Sequence, residues 1–562
     1  MKNETPSMNA TATRARGAKT KTGWLSLADT ADSRILAIIA FIVGIVVMLA
    51  YRPWNQVEGG DPAVYDYIAQ SILRGQLPYR DVVDIKGPGG GYLSALAMSA
   101  GNLIGVRDVI AVRLMNVALA GLLSAATYLV AEAFLKHRLL GMLAFLIPLM
   151  PEHFATMLIS GTQPKLPMIL FGMTTLLLIA RNSPFWAGVC SMLSCLCWQP
   201  GLLFTGAAFL IFSRYLTSWR DRRALKVLLG ALIPLLVVLV YFYSKGALGD
   251  LWAWTITYNY GVFGPEAKKG VGDAVDKLWT VVIRVFRPDG SASGDGLAGR
   301  TGFESVAGLA TLAMVPCSIL GLMLFGLGRV RARSIRGAIH SSTLFVDSLF
   351  IAPAVYLGFC LINFQASADL IPFFPFIGIF AGLFFVKAGA LLASLRWIKN
   401  TRLPMAREML IPGLALVLLL IVIVVRCASY RLGDWTLQSQ DREFTAVSNL
   451  LGPNVKVYVH GMVELLVLLK RPNLNPYVIL DWDADNFAAA RTPGGWTAIM
   501  DNMEAQSPKV VALSRLRAVT HRADLERWVD EHYDRVALSR YDRVFVRKKS
   551  EAFSDGVESR AH

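Results

Sequence analysis

The chain has 562 residues, 54% of them apolar and only 17% charged, with a formal net charge of +16 and a mean hydropathy of +0.47. Soluble proteins carry about 25% charged residues, so this composition excludes a soluble globular enzyme and describes a polytopic membrane protein. The positive surplus belongs to cytoplasmic loops. No basic stripe with interleaved aromatics runs through the sequence, and nucleic acid is not an expected partner.

Residues 1–33 form a polar, basic tail expected to be disordered and cytoplasmic, followed at once by a full-length apolar segment, as in an uncleaved anchor. Runs able to cross ~30 Å of hydrocarbon lie near 34–51, 108–134, 139–150, 163–180, 184–198, 201–216, 225–243, 305–328, 343–363, 370–395 and 408–425. The segment 91–105 is too short and too rich in Gly and Ser, and reads as a helix along the membrane surface. With it not crossing, the basic clusters around Arg14, Lys136, Arg222, Arg331 and Arg402 all share one side. The positive-inside rule then gives about eleven transmembrane helices, a cytoplasmic N-terminus and an external C-terminus. The six cysteines lie in or beside apolar spans and imply no disulfide framework. Cys195 and Cys197, without a nearby histidine or carboxylate, read as buried apolar side chains and not as a metal site.

The fold class is therefore an all-α membrane bundle over 34–426, with large external loops at 52–107 and 245–304, plus an external α/β domain over 430–548. In that last part VKVYVHG (455–461), PYVIL (476–480) and KVVALSR (509–515) read as strands. Residues 463–471, 497–507 and 523–533 have helical spacing, and the segment after 535 reads as a closing hairpin. The alternation predicts a small, largely parallel sheet with an antiparallel edge. Residues 549–562 form a second polar tail expected to be disordered. His460, at a strand end, reads as a turn residue.

The 52–107 loop concentrates the ionisable groups, with Asp61, Asp81, Asp84, Arg80 and Lys86. Asp61-Pro62 opens an amphipathic helix, so Asp61 has a structural reading as an N-cap and a functional one as a general base for a hydroxyl. Lys86 precedes Gly87-Pro88-Gly89-Gly90-Gly91. It is either a solvated loop residue or a cation for phosphate, with glycines admitting a ligand close to the backbone. Lys165, just inside an apolar span, is costly unless paired and reads as a second phosphate contact. Glu152, His153 and Gln163 sit at external ends of spans, and Asp369 at the start of another, each either an interfacial polar residue or part of a site. Tyr65 and Tyr258 are candidate substrate contacts, although aromatics at this level also form the ordinary interfacial belt.

Taken together, Asp61, the tyrosine-bearing helix, Gly75, Pro78-Tyr79-Arg80-Asp81 and Lys86-Gly87-Pro88 resemble the first external loop of GT-C class membrane glycosyltransferases that use polyprenyl-phosphate sugars. The protein O-mannosyltransferases and lipid A aminoarabinose transferases are the nearest families. Gln199-Pro200-Gly201 and Leu370-Ile371-Pro372-Phe373-Phe374-Pro375 extend the likeness to about residue 395. The resemblance implies Asp61 as catalytic base and Lys86 at the donor phosphate, where Arg80 and Lys165 are further candidate contacts. Asp81, Asp84 and Glu152 are candidate supporting acids by their place in external loops and span ends. The implied partners are a polyprenyl-phosphate-linked sugar, a glycan, lipid or protein acceptor and the bilayer; the implied site is the outer face of a bacterial inner membrane. Two departures stand out. The mannosyltransferases carry Asp-Glu where this chain has Asp61-Pro62, and the aminoarabinose transferases carry Asp-Pro where it has Gln163-Pro164. A divalent cation would help a phosphate leave, yet no ligand cluster in the sequence calls for one. The alternatives are a transporter or flippase of lipid-linked sugars, for which mid-span charges and repeated halves are missing, and a polymerase or ligase, for which Arg284, Arg287 and Arg300 would serve.

Overall fold

The computed structural model describes residues 31–213, 222–263, 271–286, 302–336, 341–362, 364, 367–394, 404–450, 456–536, 541 and 543–548. The expected tails up to residue 30 and beyond 548 lie outside these residues, as do Lys268, Lys269, Arg287 and Arg300.

The first apolar run is helix α1 (Ala31–Ala50), and α4 (Asp108–Leu135) packs along it. Between them the 52–107 loop folds into α2 (Gly60–Leu73) and α3 (Gly89–Leu103). α3 is the helix expected at 91–105, with Leu96, Leu103 and Ile104 exposed. The short run at 139–150 is half of a longer unit. α5 (Arg138–Leu146) and α6 (Glu152–Ile159) are together long and apolar enough to cross, and the 73° bend between them makes the pair a broken span or a re-entrant loop. Pro148 and Pro151 fall at the break, where each removes a backbone donor and forbids a straight helix.

α7 (Lys165–Ala180), α8 (Pro184–Cys197), α9 (Leu202–Ser213) and α10 (Arg223–Ser244) follow, then helices at Gly302–Arg336, Ser341–Ile362, Phe374–Ser394 and Pro404–Ser429. Among the described residues six helices are long and apolar enough to cross a membrane, or seven with the bent pair. Four shorter apolar helices lie on the remaining predicted runs, so length alone does not reach the expected eleven. α8 and α10 meet backbone to backbone. A Cβ on Gly188 would lie 2.0 Å from the Val227 oxygen, and one on Gly230 would lie 2.0 Å from the Phe185 oxygen. Lipid offers helices no hydrophobic incentive to associate, so contact of small residues does that work. The outward residues of α10, among them Ile233, Val237 and Val240, are apolar too, as a lipid-facing surface requires.

The C-terminal unit is built on a four-stranded sheet, β1 (Val457–His460), β2 (Val510–Leu513), β3 (Tyr533–Arg535) and β4 (Val544–Arg547), in the order β1-β2-β4-β3. Only β1 and β2 run parallel, with His460 opposite Leu513; β2–β4 and β4–β3 are antiparallel. The sheet is thus less parallel than its strand–helix alternation predicts. Residues 476–480 are no ladder strand either: the Pro476 oxygen accepts from Val83 N (3.0 Å), and the Val478 oxygen from Gly461 N (2.8 Å). That segment is a buried strap between the sheet and the first loop.

The core is continuous from the bundle's end into the sheet. Ala63, Tyr67 and Ile68 of α2 bury against Val457, Val459, Leu466 and Val510. The apolar stripe of α2 is therefore a docking face for the C-terminal unit. Burial at this depth contributes roughly 1.5–3 kcal/mol per large side chain.

Candidate active site

α2 begins at Gly60 after an extended Gly59, and no side chain caps it. Asp61 lies inside the first turn, so its capping role falls away. Its carboxylate points instead into a cavity, with its side chain 65% exposed and Oδ1 3.4 Å from Nη1 of Arg515. The cavity, about 310 Å³, is lined by residues of the first loop, of α7, of the segment after α10 and of the C-terminal unit.

The loop reaches the cavity through a tight return. Tyr79 adopts φ 73° and donates its hydroxyl hydrogen to the Lys86 oxygen (2.8 Å). Asp84 Oδ1 accepts from the Lys86 N–H (2.9 Å). Burial pushes the Asp84 carboxyl up to about 7, against the pull of Lys86. The Lys86 side chain is caged, with its Nζ 5.4 Å from the Tyr65 ring centre and 5.3 Å from that of Trp198. Burial, then the like charge of Lys165, lower its pKa to about 8.

Lys165 stands over the same indole, 4.7 Å from its centre, and its Nζ pairs with Asp369 Oδ1 at 2.6 Å. An indole faced by two ammonium groups is a strong cation–π arrangement. Trp198 is held there by the turn Gln199-Pro200-Gly201 that ends α8, and Gln199 Nε2 also donates to the Ile85 oxygen (2.9 Å). Asn259 Nδ2 donates to the same oxygen at 2.6 Å. The residue before Lys86 is thus fixed from two elements.

Below Asp61 lies a buried charged cluster. Arg113 Nη2 pairs with Glu58 Oε2 at 2.8 Å and donates through Nη1 to the Pro53 and Gln56 oxygens. Asp66 Oδ1 accepts from the N–H and the hydroxyl of Thr162. Burial, then the charge of Asp66, pushes the Glu58 carboxyl well above the usual carboxylate range, against the pull of Arg113. This cluster ties α2, α4 and the turn before α7 together beneath the cavity floor.

Of the predicted residues, Asp61, Tyr65, Asp84, Lys86, Lys165 and Tyr258 line the cavity, and Asp369 reaches it through Lys165. The others lie elsewhere. Arg80 and Asp81 form an exposed pair (2.9 Å), Glu152 stands 3.9 Å from Arg426, and His153 and Gln163 are not among the lining residues. Sequence reasoning did not single out Trp198, Lys277, Asp481, Trp482 or Arg515. Lys277 Nζ donates to the Phe364 oxygen (3.0 Å), and the Tyr258 hydroxyl to the Trp482 oxygen (2.9 Å). Arg515 had no local signal, since its partner Asp61 is 454 residues away. Among the described residues no group of three or more His, Cys, Asp or Glu is placed to hold a metal.

No family model matches the chain, and no curated protein matches it. Solved structures do. The crystal structure of ArnT from Cupriavidus metallidurans bound to undecaprenyl phosphate superposes with a TM-score of 0.56 at 12% identity, covering 92% of this chain and 98% of that one. Its apo state gives 0.54 at the same identity and coverage. The fold is that of ArnT. The Archaeoglobus fulgidus oligosaccharyltransferase, solved with Zn and sulfate, is more distant, with a TM-score of 0.45 at 12% identity over 84% of this chain and 67% of that one. ArnT is a lipid A aminoarabinose transferase, one of the two families that the first loop resembles. The ArnT fold spans nearly the whole chain, bundle and sheet together.

Proposed function

We propose that this protein is a membrane glycosyltransferase moving a sugar from a polyprenyl-phosphate donor to a hydroxyl acceptor on the extracytoplasmic face. The reading rests on one observation above others. An accessible carboxylate, Asp61, and two caged ammonium groups, Lys86 and Lys165, share one cavity in a chain with the ArnT fold. The ArnT crystal holds undecaprenyl phosphate, which supports a lipid-linked donor here.

In this mechanism the donor phosphate sits against Lys86 and Lys165, whose charges neutralise it as it leaves. The acceptor oxygen attacks the anomeric carbon from the other face while the bond from that carbon to the phosphate oxygen breaks. The electron pair departs with the phosphate, and the acceptor proton passes to Asp61 and on to water. A single displacement needs one base and no acid, because the lipid phosphate is already a good leaving group. The raised pKa of Asp84 keeps a part-protonated carboxyl beside Lys86, which limits repulsion of the incoming phosphate.

The test compares wild type with Asp61→Asn in membranes against a panel of polyprenyl-phosphate sugars. The amide keeps the size of the side chain and removes the base. Turnover should fall at least ~100-fold, with protein level and donor binding unchanged. Unchanged turnover by the variant would sink the assignment of Asp61.

A further inference from the structure

Two turns of the C-terminal unit enter the cavity, and both are bent in a way that residues other than glycine rarely adopt. Trp482 (φ 59°) and Asp483 (φ 61°) follow the buried strap, and Arg515 (φ 55°) follows β2. The first turn is held by Trp482 N donating to the Ala518 oxygen (3.1 Å) and by the Tyr258 hydroxyl on the Trp482 oxygen (2.9 Å). The second is held by Ser514 N on the His460 oxygen (2.8 Å), across the carboxyl ends of the parallel pair. Carboxyl ends of parallel strands are where open α/β sheets bind ligands.

The contact between Arg515 and Asp61 does not account for this strain. Both side chains are open to solvent, 36% and 65%, and 3.4 Å apart. A screened pair of that kind stabilises by less than a left-handed side-chain-bearing residue costs. Asp61 is the carboxylate that stands in ion-pair reach of Arg515 among the described residues. His460 is fully buried with neither ring nitrogen hydrogen-bonded. Burial pushes the Asp481 and Glu464 carboxyls upward, against the pull of Arg515. A cation is thus held at strained cost beside the candidate base, facing open cavity.

We propose that Arg515 is a specificity residue that binds an anionic group, phosphate or carboxylate, on the acceptor beside the hydroxyl that Asp61 deprotonates. This rests on the sugar-transfer reading above. Without acceptor, Arg515 pairs with Asp61. The acceptor anion takes the guanidinium, which leaves the carboxylate unpaired only when a hydroxyl stands next to it.

The experiment uses the full-length protein and separates binding from transfer. For binding, the melting temperature of detergent-solubilised protein is followed against glycerol 3-phosphate, with glycerol as the neutral probe. Wild type should be stabilised by the phosphate alone, Arg515→Gln should lose the response, and Arg515→Lys should keep much of it. Asp61→Asn should bind severalfold tighter, its competing carboxylate being gone. For transfer, protein in phosphatidylcholine vesicles receives methyl glucoside or methyl glucoside 6-phosphate. Arg515→Gln should lower the preference for the phosphorylated acceptor about tenfold. Adding phosphatidylglycerol to the vesicles tells whether a lipid headgroup supplies the anion in place of a soluble one. Phosphate binding unchanged in Arg515→Gln, or an equal fall for both acceptors, overturns the proposal. Phosphate binding by a wild type that consumes no donor overturns sugar transfer and leaves the anion site standing.

Discussion

Lys86 is the residue whose charge the proposed chemistry depends on, and its surroundings make that charge pH-sensitive. Burial and the neighbouring Lys165 bring its pKa down to about 8, while Asp61, Asp369 and Asp84 pull the other way. The ammonium form is therefore complete well below pH 8 and lost above it. Donor KM should rise about tenfold for each pH unit above ~8, with Lys86→Met showing the high-pH value already at pH 7. A donor KM flat to pH 9.5 in the wild type would mean that the phosphate does not sit on Lys86. At this scale the sequence was informative where chemistry is local. Asp61 and Lys86 declared themselves because polar groups and glycines are conspicuous in an apolar chain. Trp198 was hidden, since one more aromatic near a span end looks like membrane belt. Arg515 was hidden because only the fold brings it to Asp61.

At the scale of elements, the site depends on the Lys86-Gly87-Pro88 turn lying directly on the end of α8. A Cβ at Gly87 would stand 2.1 Å from the Leu196 oxygen, which is backbone and cannot yield. Gly87→Ala should therefore push the turn off α8, move Lys86 away from Trp198 and cost about 1–3 kcal/mol of stability from overpacking. Gly206→Ala is the control. That glycine sits inside α9, where an added Cβ would meet no atom within 4 Å, and alanine there should be neutral or stabilising by up to ~1 kcal/mol. Thermal melts of both variants check this; equal melting temperatures would contradict the close docking. Helices were the legible elements, because long apolar runs have one interpretation in a membrane protein. The strap at 476–480 was not, since a five-residue apolar run looks the same whether it pairs in a ladder or is buried against a loop. The bend at Pro151 left the apolar run before it legible and the short helix after it unread.

For the whole molecule, what matters is that the C-terminal unit and the first loop are one body. Gln440 brackets Glu58, accepting from its N–H (2.9 Å) and donating to its oxygen (2.7 Å), and Gln70 Nε2 donates to the Val467 oxygen (3.1 Å). Unfolding the sheet thus opens the cavity, so the acid stability of the sheet sets a limit on activity. Two buried groups near Arg515 control it with opposite signs. Burial lowers the His460 pKa to about 4, below its ordinary 6.5. The unfolded chain therefore binds the proton first, and His460 subtracts stability as pH falls from 6.5 to about 4. Glu464 is raised to about 7 from 4.5, again by burial. Its folded form binds the proton first, so its contribution is complete below 4.5 and lost as pH rises through 7. Each is worth roughly 3 kcal/mol at full range, and over the shared window they nearly cancel. Single variants should expose the hidden slopes. Glu464→Gln should melt progressively lower as pH drops from 6.5 toward 4. His460→Phe, which leaves no hydrogen bond unmade, should melt higher as pH drops from 7 to 4.5. The other titrating groups are common to all three proteins, so differences between their melting curves isolate this pair. Parallel curves would show that neither group feels the burial that the sheet imposes, and the coupling of sheet stability to the cavity would have to rest on the backbone seam alone.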